Sequence, residues 1–264
     1  MTSAQGQKYR HILVDREGRI ALVTMNRPER RNALSLEHMQ ELTQAFREIG
    51  RSQESAVAIL RGNGPAFCAG HDLSEMVDRD LAFYRELFDV CIELISTIQS
   101  IPQPVIAQVH AMATAAGCQL AATCDLAVAS TEARFATPGV KIGLFCSTPM
   151  VALTRAVGRK KALEMLLTGE AISANEALAA GLVNRVVAPD ELAAQTRALA
   201  ERILLSSTYV VGIGKRTFYQ QIELPQPMAY TYTRDVMSMN ASAADAQEGM
   251  SAFLEKRAAK WCGR

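Results

Sequence analysis

The sequence predicts an α/β fold followed by an all-helical region, and three observations carry that prediction. Short apolar runs of strand length alternate with stretches of helical periodicity as far as Pro189. Two segments of glycine and other small residues sit between strand-like runs and helix starts. Beyond Pro189 only helical spacing recurs, which assigns residues 1–189 to a mixed core and 190–264 to a helical region that either covers the core or docks onto a neighbouring subunit.

His11 to Asp15 and Ile20 to Met25 are strand-like runs about a turn at Glu17-Gly18. Ser35 can cap a helix in which Leu36, Met39, Leu42, Ala45, Phe46 and Ile49 share one face, and Gly50 ends it. A strand follows at Ala56 to Leu60. The stretch Gly62 to Gly70 reads as an irregular loop leading into a helix from Asp72. A second helix covers about Leu81 to Ser100 and is stopped by Pro102 and Pro104. Val105 to Val109 is a buried strand. After the small residues Ala111 to Gly117 come a helix through Leu120 to Thr123 and the strand Leu126 to Ala129. Further helices are predicted at Pro149 to Val157, Arg159 to Leu167 and Ala174 to Ala180, with a strand at Leu182 to Val187. The helical region then reads as Asp190 to Leu205, Val210 to Gln221, Pro227 to Asn240 and Ala243 to Ala259.

With 264 residues, 49% of them hydrophobic, the chain can bury one large core or one core with a smaller appended unit. Its 28 Lys and Arg against 27 Asp and Glu give a formal charge of +1, so no long-range field draws nucleic acid or an anionic membrane. No apolar window reaches the length of a membrane helix, and the first ten residues have neither a secretory core nor an Arg-rich amphipathic import segment. A soluble cytoplasmic protein is expected. Cys68, Cys91, Cys118, Cys124, Cys146 and Cys262 lack metal-ligand spacing and read as buried thiols in a reducing compartment, with no metal site.

Phe67-Cys68-Ala69-Gly70-His71-Asp72-Leu73 and Ala113-Thr114-Ala115-Ala116-Gly117-Cys118-Gln119-Leu120 each combine a strand end, a small-residue loop and a helix start. That geometry presents unpaired amides, and two convergent amides can stabilise an oxyanion. Tight packing of strand on helix explains either loop without any chemistry, and the bare pattern favours it. In order along the chain, these two segments join Asn26-Arg27-Pro28, Arg31-Asn32-Ala33-Leu34, Pro104-Val105-Ile106-Ala107, Cys124-Asp125-Leu126-Ala127, Ala133-Arg134-Phe135, Leu166-Leu167-Thr168-Gly169 and Ala180-Gly181-Leu182-Val183. The ordered set resembles the crotonase, or enoyl-CoA hydratase/isomerase, superfamily over nearly the whole length. Phe135-Ala136-Thr137-Pro138-Gly139-Val140 and Gly143-Leu144-Phe145-Cys146-Ser147-Thr148-Pro149 are similar to one subgroup, the hydratase domain-containing proteins.

The resemblance implies a right-handed spiral of strand-strand-helix turns, a C-terminal trimerisation region and often two stacked trimers. It also implies an acyl-CoA thioester as partner and no cofactor beyond the coenzyme A of the substrate. The family's oxyanion donors correspond to the backbone amides of His71 and Ala116. Its adenine and pantetheine contacts fall at Arg31, Ala33, Ala69, Asp72 and Leu73, and Phe253 and Lys256 match residues that reach a neighbouring subunit's coenzyme A. Asp72 and Glu75 also suit a helix cap and first-turn acid. Met76, Leu87, Met112, Leu144 and Phe145 are candidates for the acyl pocket.

The two acid-base glutamates of authentic hydratases are replaced by Gln119 and Gly139. Glutamine can position water but cannot exchange a proton near neutrality, and losing such a group typically costs about 10² to 10⁴ in rate. Positions that carry an acid in related isomerases and dehalogenases hold Cys146 and Ser147; Leu144 and Phe145 beside the thiol favour a structural role for it. Three readings follow: a hydratase/isomerase-like enzyme that stabilises a thioester enolate, a decarboxylase of a malonyl-type thioester using the side chain of His71, and a non-catalytic acyl-CoA binder.

Overall fold

The computed structural model describes residues 9–264. The reading of residues 1–8 as free of an import or secretion segment therefore lies outside the described residues. The spiral is produced by alternation between two sheets. After the hairpin β1 (Ile12–Glu17) and β2 (Ile20–Met25) and helix α1 (Leu36–Arg51), the turns are β3 (Val57–Gly62), β4 (Ala66–Cys68) and α2 (Leu81–Ser100), then β5 (Val105–Val109), β6 (Met112–Thr114) and α3 (Ala116–Thr123). β7 (Leu126–Ser130) and β8 (Arg134–Ala136) precede α4 (Ser147–Ala156) and α5 (Arg159–Thr168); β9 (Ile172–Ser173), α6 (Ala174–Ala180) and β10 (Arg185–Val187) close the core. In each turn the first strand joins a large sheet, ordered β1-β2-β3-β5-β7-β10, and the second a small sheet, ordered β4-β6-β8-β9. Both are parallel except for the pairs β1–β2 and β8–β9.

The central strands β2, β3, β5 and β7 of the large sheet are covered on both faces, which is why they read as continuous apolar runs, whereas the edge strand β1 is largely exposed. Ala21, Val23, Leu60, Ala107 and Ala129 face the interior of the spiral and its main core. The alternate residues Ile20, Leu22, Val57, Ile59, Ile106 and Val128 face outward and are sealed by Leu192 and Ala200 of α7 (Leu192–Leu204). Helices α8 (Thr208–Gln221), α9 (Gln226–Ser242) and α10 (Ala244–Leu254) follow, and leave Phe218, Tyr230, Met237 and Phe253 exposed.

Several expected elements differ. The Gly62 to Gly70 loop contains β4, and β8 and β9 were not foreseen; strands of two or three residues are too short to show a periodicity. The helix expected from Asp72 is a single 3₁₀ turn, Leu73–Glu75, before the left-handed Asp78. The last helix stops at Leu254 rather than Ala259, because Lys256 has a positive φ of 56° and the tail folds back onto α10. Glu248 holds that tail through Arg257 and the amide of Lys260, while Asp245 accepts from Ser207 and from the amides of Cys262 and Gly263. Cys262 is exposed; the other five thiols are buried and all six are free.

α8 is fastened to the spiral by a buried ion pair. Lys215 Nζ lies 2.6 Å from Asp125 Oδ2 and donates to the carbonyls of Ile98 and Gln103. Asp125 also accepts from Val105 N and from the Tyr219 hydroxyl. Burial raises the Asp125 carboxyl and lowers the Lys215 ammonium, and each charge opposes the other's shift. Asp125→Ala leaves a buried ammonium uncompensated and should lower unfolding free energy by about 3–5 kcal/mol in urea titrations. Adding Lys215→Met should recover most of that loss.

Candidate active site

The polypeptide around Asn32 sets the first small-residue loop. Asn32 is fully buried with a positive φ of 54°. Its Nδ2 donates to the carbonyls of Asn63, Ala66 and Phe67, and its Oδ1 accepts from Arg27 N. The Arg27 guanidinium donates to Ala33 O and Asp72 Oδ2, and Asp72 also accepts from the amide and hydroxyl of Ser74. Both ends of the Ala69–Asp72 segment are thus tied down. Asp72 caps the 3₁₀ turn, as expected, and Glu75 accepts from Leu36 N.

Between those ties, Leu34 pairs with the chain on either side of His71: Leu34 N donates to Gly70 O at 2.7 Å, and Asp72 N to Leu34 O at 3.0 Å. This parallel bridge leaves the His71 amide pointing to the opposite side, without a backbone partner among the described residues. In the second loop Ala115 has φ 50° and ψ −118°, a strained conformation for a residue with a Cβ. It is held by a bond from Ala115 N to Ala136 O, and it presents the Ala116 amide at the unpaired N-terminus of α3. The loops touch: a methyl built on Gly70 would lie 3.3 Å from Ala116 N, and one built on Gly117 only 2.1 Å from the carbonyl oxygen of Cys68.

A cavity of about 570 Å³ opens beside this contact. Ala69, His71, Leu73 and Ala116 line it, together with Phe88 and residues from Pro138 to Pro149. Of the expected acyl-pocket residues Leu144 and Phe145 lie in its wall; Met76, Leu87 and Met112 do not. Arg31, Ala33, Asp72, Gln119, Phe253 and Lys256 are also outside the lining. Gln119 is buried on α3, where its amide oxygen faces the Cys91 thiol at 3.9 Å. Phe253 is 82% exposed, and Lys256 follows the end of α10. Among the described residues no group of three or more His, Cys, Asp or Glu can hold a metal ion, and no helix is long and apolar enough to cross a membrane.

Besides its backbone the cavity carries the side chains of Lys141, Ser147 and Thr148, the His71 ring and the Cys146 thiol. The His71 ring packs edge-on against Phe88, and both its nitrogens are buried without a hydrogen-bond partner. Burial lowers its pKa from 6.5 to about 4, against a smaller upward effect of the Leu34 backbone, which lies near the ring without meeting hydrogen-bond geometry. At the other side, Gly139 faces the turn Gly143–Cys146. A methyl on Gly139 would stand 1.9 Å from Leu144 O and 2.9 Å from Cys146 Sγ. That turn is closed by a bond from Leu144 N to Gly139 O, and Cys146 stands at the N-cap position of α4 without a side-chain capping bond. Both small-residue loops are legible in the sequence, whereas the roles of Asn32 and Phe88 are not; for Asn32 the available signal is its place in the Arg31-Asn32-Ala33-Leu34 motif.

The fold and this pair of loops define an α/β protein of the crotonase type. The chain belongs to the enoyl-CoA hydratase/isomerase family, whose model matches residues 15–264. It is 47% identical over 242 residues, 90% of this chain and 80% of the other, to the mitochondrial enoyl-CoA hydratase domain-containing protein 3 of Mus musculus. Among solved structures, the human enoyl coenzyme A hydratase domain-containing protein 3 superposes with a TM-score of 0.93 at 45% identity, covering 96% of this chain and 100% of that one. An enoyl-CoA hydratase from Mycobacterium smegmatis gives a TM-score of 0.94 at 47% identity, covering 96% and 99%. The subgroup resemblance is therefore to the type 3 proteins.

The cytoplasmic expectation is corrected by the same relatives. Those from Mus musculus, Xenopus laevis and Homo sapiens are all named mitochondrial. Compartment is carried by targeting segments rather than by the folded body, so composition of the core had no bearing on it.

Two measurements test this geometry. Gly117→Ala should gain about 1 kcal/mol of helix propensity, yet the clash with the Cys68 backbone should outweigh it, for a net loss of about 1–3 kcal/mol in chemical denaturation. His71 is neutral in the folded protein and binds protons more readily unfolded, so its contribution is complete above pH 6.5 and is lost as pH falls toward 4. His71→Gln should therefore lose less stability than the wild type across that window, read from urea midpoints at each pH.

Proposed function

We propose that the protein binds an acyl-CoA thioester and stabilises its enolate with the backbone amides of His71 and Ala116. The observation that carries this reading is the pair of amides on residues that line the cavity, both without a backbone partner among the described residues, on loops locked together at Gly117 and Cys68. Preorganised donors stabilise charge that develops on the thioester oxygen without reorganising as it forms. The apolar wall formed by Leu73, Phe88, Leu144 and Phe145 suits an uncharged acyl chain and excludes water from the enolate. Family membership supports an enzyme of the hydratase/isomerase class. Hydration is slow in this reading, since Gln119 and Gly139 supply no carboxylate. The exposed apolar residues of α8 to α10 support association of copies into a trimer or a dimer of trimers.

One observation favours a second reading. The unpartnered, buried nitrogens of His71 line the same cavity and could hold the carboxylate of a malonyl-type thioester before decarboxylation. His71→Ala would then abolish carbon dioxide release while leaving thioester binding.

The enolate reading is tested with butyryl-CoA and its thioether analogue, which lacks the carbonyl oxygen. Two hydrogen bonds worth about 1 kcal/mol each predict roughly 30-fold weaker binding of the thioether by calorimetry. Equal affinities would remove the oxyanion hole from the site.

A further inference from the structure

We propose that the thiol of Cys146 is the proton donor to the α-carbon of the bound thioester enolate. The inference rests on the thioester reading and supplies the acid that reading lacks. Three independent observations meet at this thiol. Cys146 lines the cavity that the His71 and Ala116 amides border. Its sulfur lies 2.9 Å from where a Cβ on residue 139 would begin, so together with the Leu144 carbonyl oxygen at 1.9 Å it borders the space into which a side chain from that position would grow. The imidazole of His71, buried and without a partner for either nitrogen, borders the same cavity, which marks the space as one prepared for a polar ligand rather than as packing.

The position also settles which role the thiol can take. A base must be ionised at working pH, whereas a donor must hold its proton. Burial raises the Cys146 thiol from its ordinary value, against a smaller opposing effect of the Gly139 backbone. The site therefore keeps an S–H. In the step, the enolate's electron pair forms the new C–H bond at the α-carbon while the thioester carbonyl is restored. The S–H bond breaks, its electron pair stays on sulfur as thiolate, and water returns a proton to the thiolate. By microscopic reversibility the minor thiolate form takes the α-hydrogen onto sulfur, so in heavy water the same step exchanges the α-hydrogen of a saturated acyl-CoA for deuterium, slowly and at a rate that rises with pH.

No side chain is strained by the assignment. His71 remains neutral and free to orient the acyl group or a carboxylate, and Gln119 stays with Cys91.

The test is deuterium uptake into butyryl-CoA in heavy water, followed by mass spectrometry, beside calorimetric binding of the same ligand. Wild type should exchange, and Cys146→Ala and Cys146→Ser should exchange at least about 10²-fold more slowly while binding butyryl-CoA as tightly as wild type. Capping of Cys146 in the intact wild type with a small methylthiolating reagent, located by peptide mapping, should have the same effect and does not depend on a variant folding. Uptake that survives capping or either substitution overturns the proposal, as does a wild type that binds butyryl-CoA without exchanging it. A wild type that does not bind the thioester overturns the thioester reading itself.

Discussion

Everything at the cavity depends on how closely the start of α3 approaches the end of β4. The Cys68 carbonyl sits where a side chain on residue 117 would begin, so the contact exists only because that residue is glycine. Once made, it fixes the Ala69–Asp72 segment relative to the N-terminus of α3. The strained Ala115 and the bridge at Leu34 then turn one amide from each loop toward the same space. A strained dihedral persists only where the surroundings over-determine it. Here they do: Ala115 N is bound to β8, Asn32 clamps the approach to β4, and Arg27 clamps Asp72.

The spiral makes this proximity possible. Because each turn sends one strand to the large sheet and the next to the small one, β4 and β6 become parallel neighbours although α2 lies between them in sequence. Their C-terminal ends are then adjacent, and loops leaving them meet. Both faces of the large sheet's central strands are buried, and the Asp125–Lys215 pair ties α8 to the segments before β5 and β7. The site therefore sits on a frame with little freedom to drift, as a backbone oxyanion hole requires.

Legibility followed the length of the periodic signal. β2, α2, β5 and α6 match the sequence bounds, and α1 runs through the expected stop at Gly50 to Arg51, because apolar spacing over a full element leaves few alternatives. The strands of the small sheet were opaque: three-residue β4, β6 and β8 carry no period and owe their pairing to the spiral. At the site, the loops around His71 and Ala116 were visible as small-residue clusters. The roles of Asn32 and Phe88 were not, since each acts on residues distant in the chain. Lys256 and Phe253 were placed on a longer helix than exists, because helical spacing in the tail continues past a residue whose backbone has already left the helix.

The missing glutamates look different once the packing around Gly139 is considered. In sequence, glycine at 139 is a simple deletion of an acid. In the fold, the Leu144 carbonyl and the Cys146 thiol stand in the place that side chain would need, and the turn that puts them there is closed by Gly139's own carbonyl. A carboxylate could not be restored at 139 without rebuilding the turn from Gly143 to Cys146, because a clash with backbone cannot be relieved by a rotamer change. The change at 139 and the conformation of the turn are thus one structural unit. Around that unit the cavity offers a thiol, a neutral imidazole, the hydroxyls of Ser147 and Thr148 and the Lys141 ammonium, but no carboxylate.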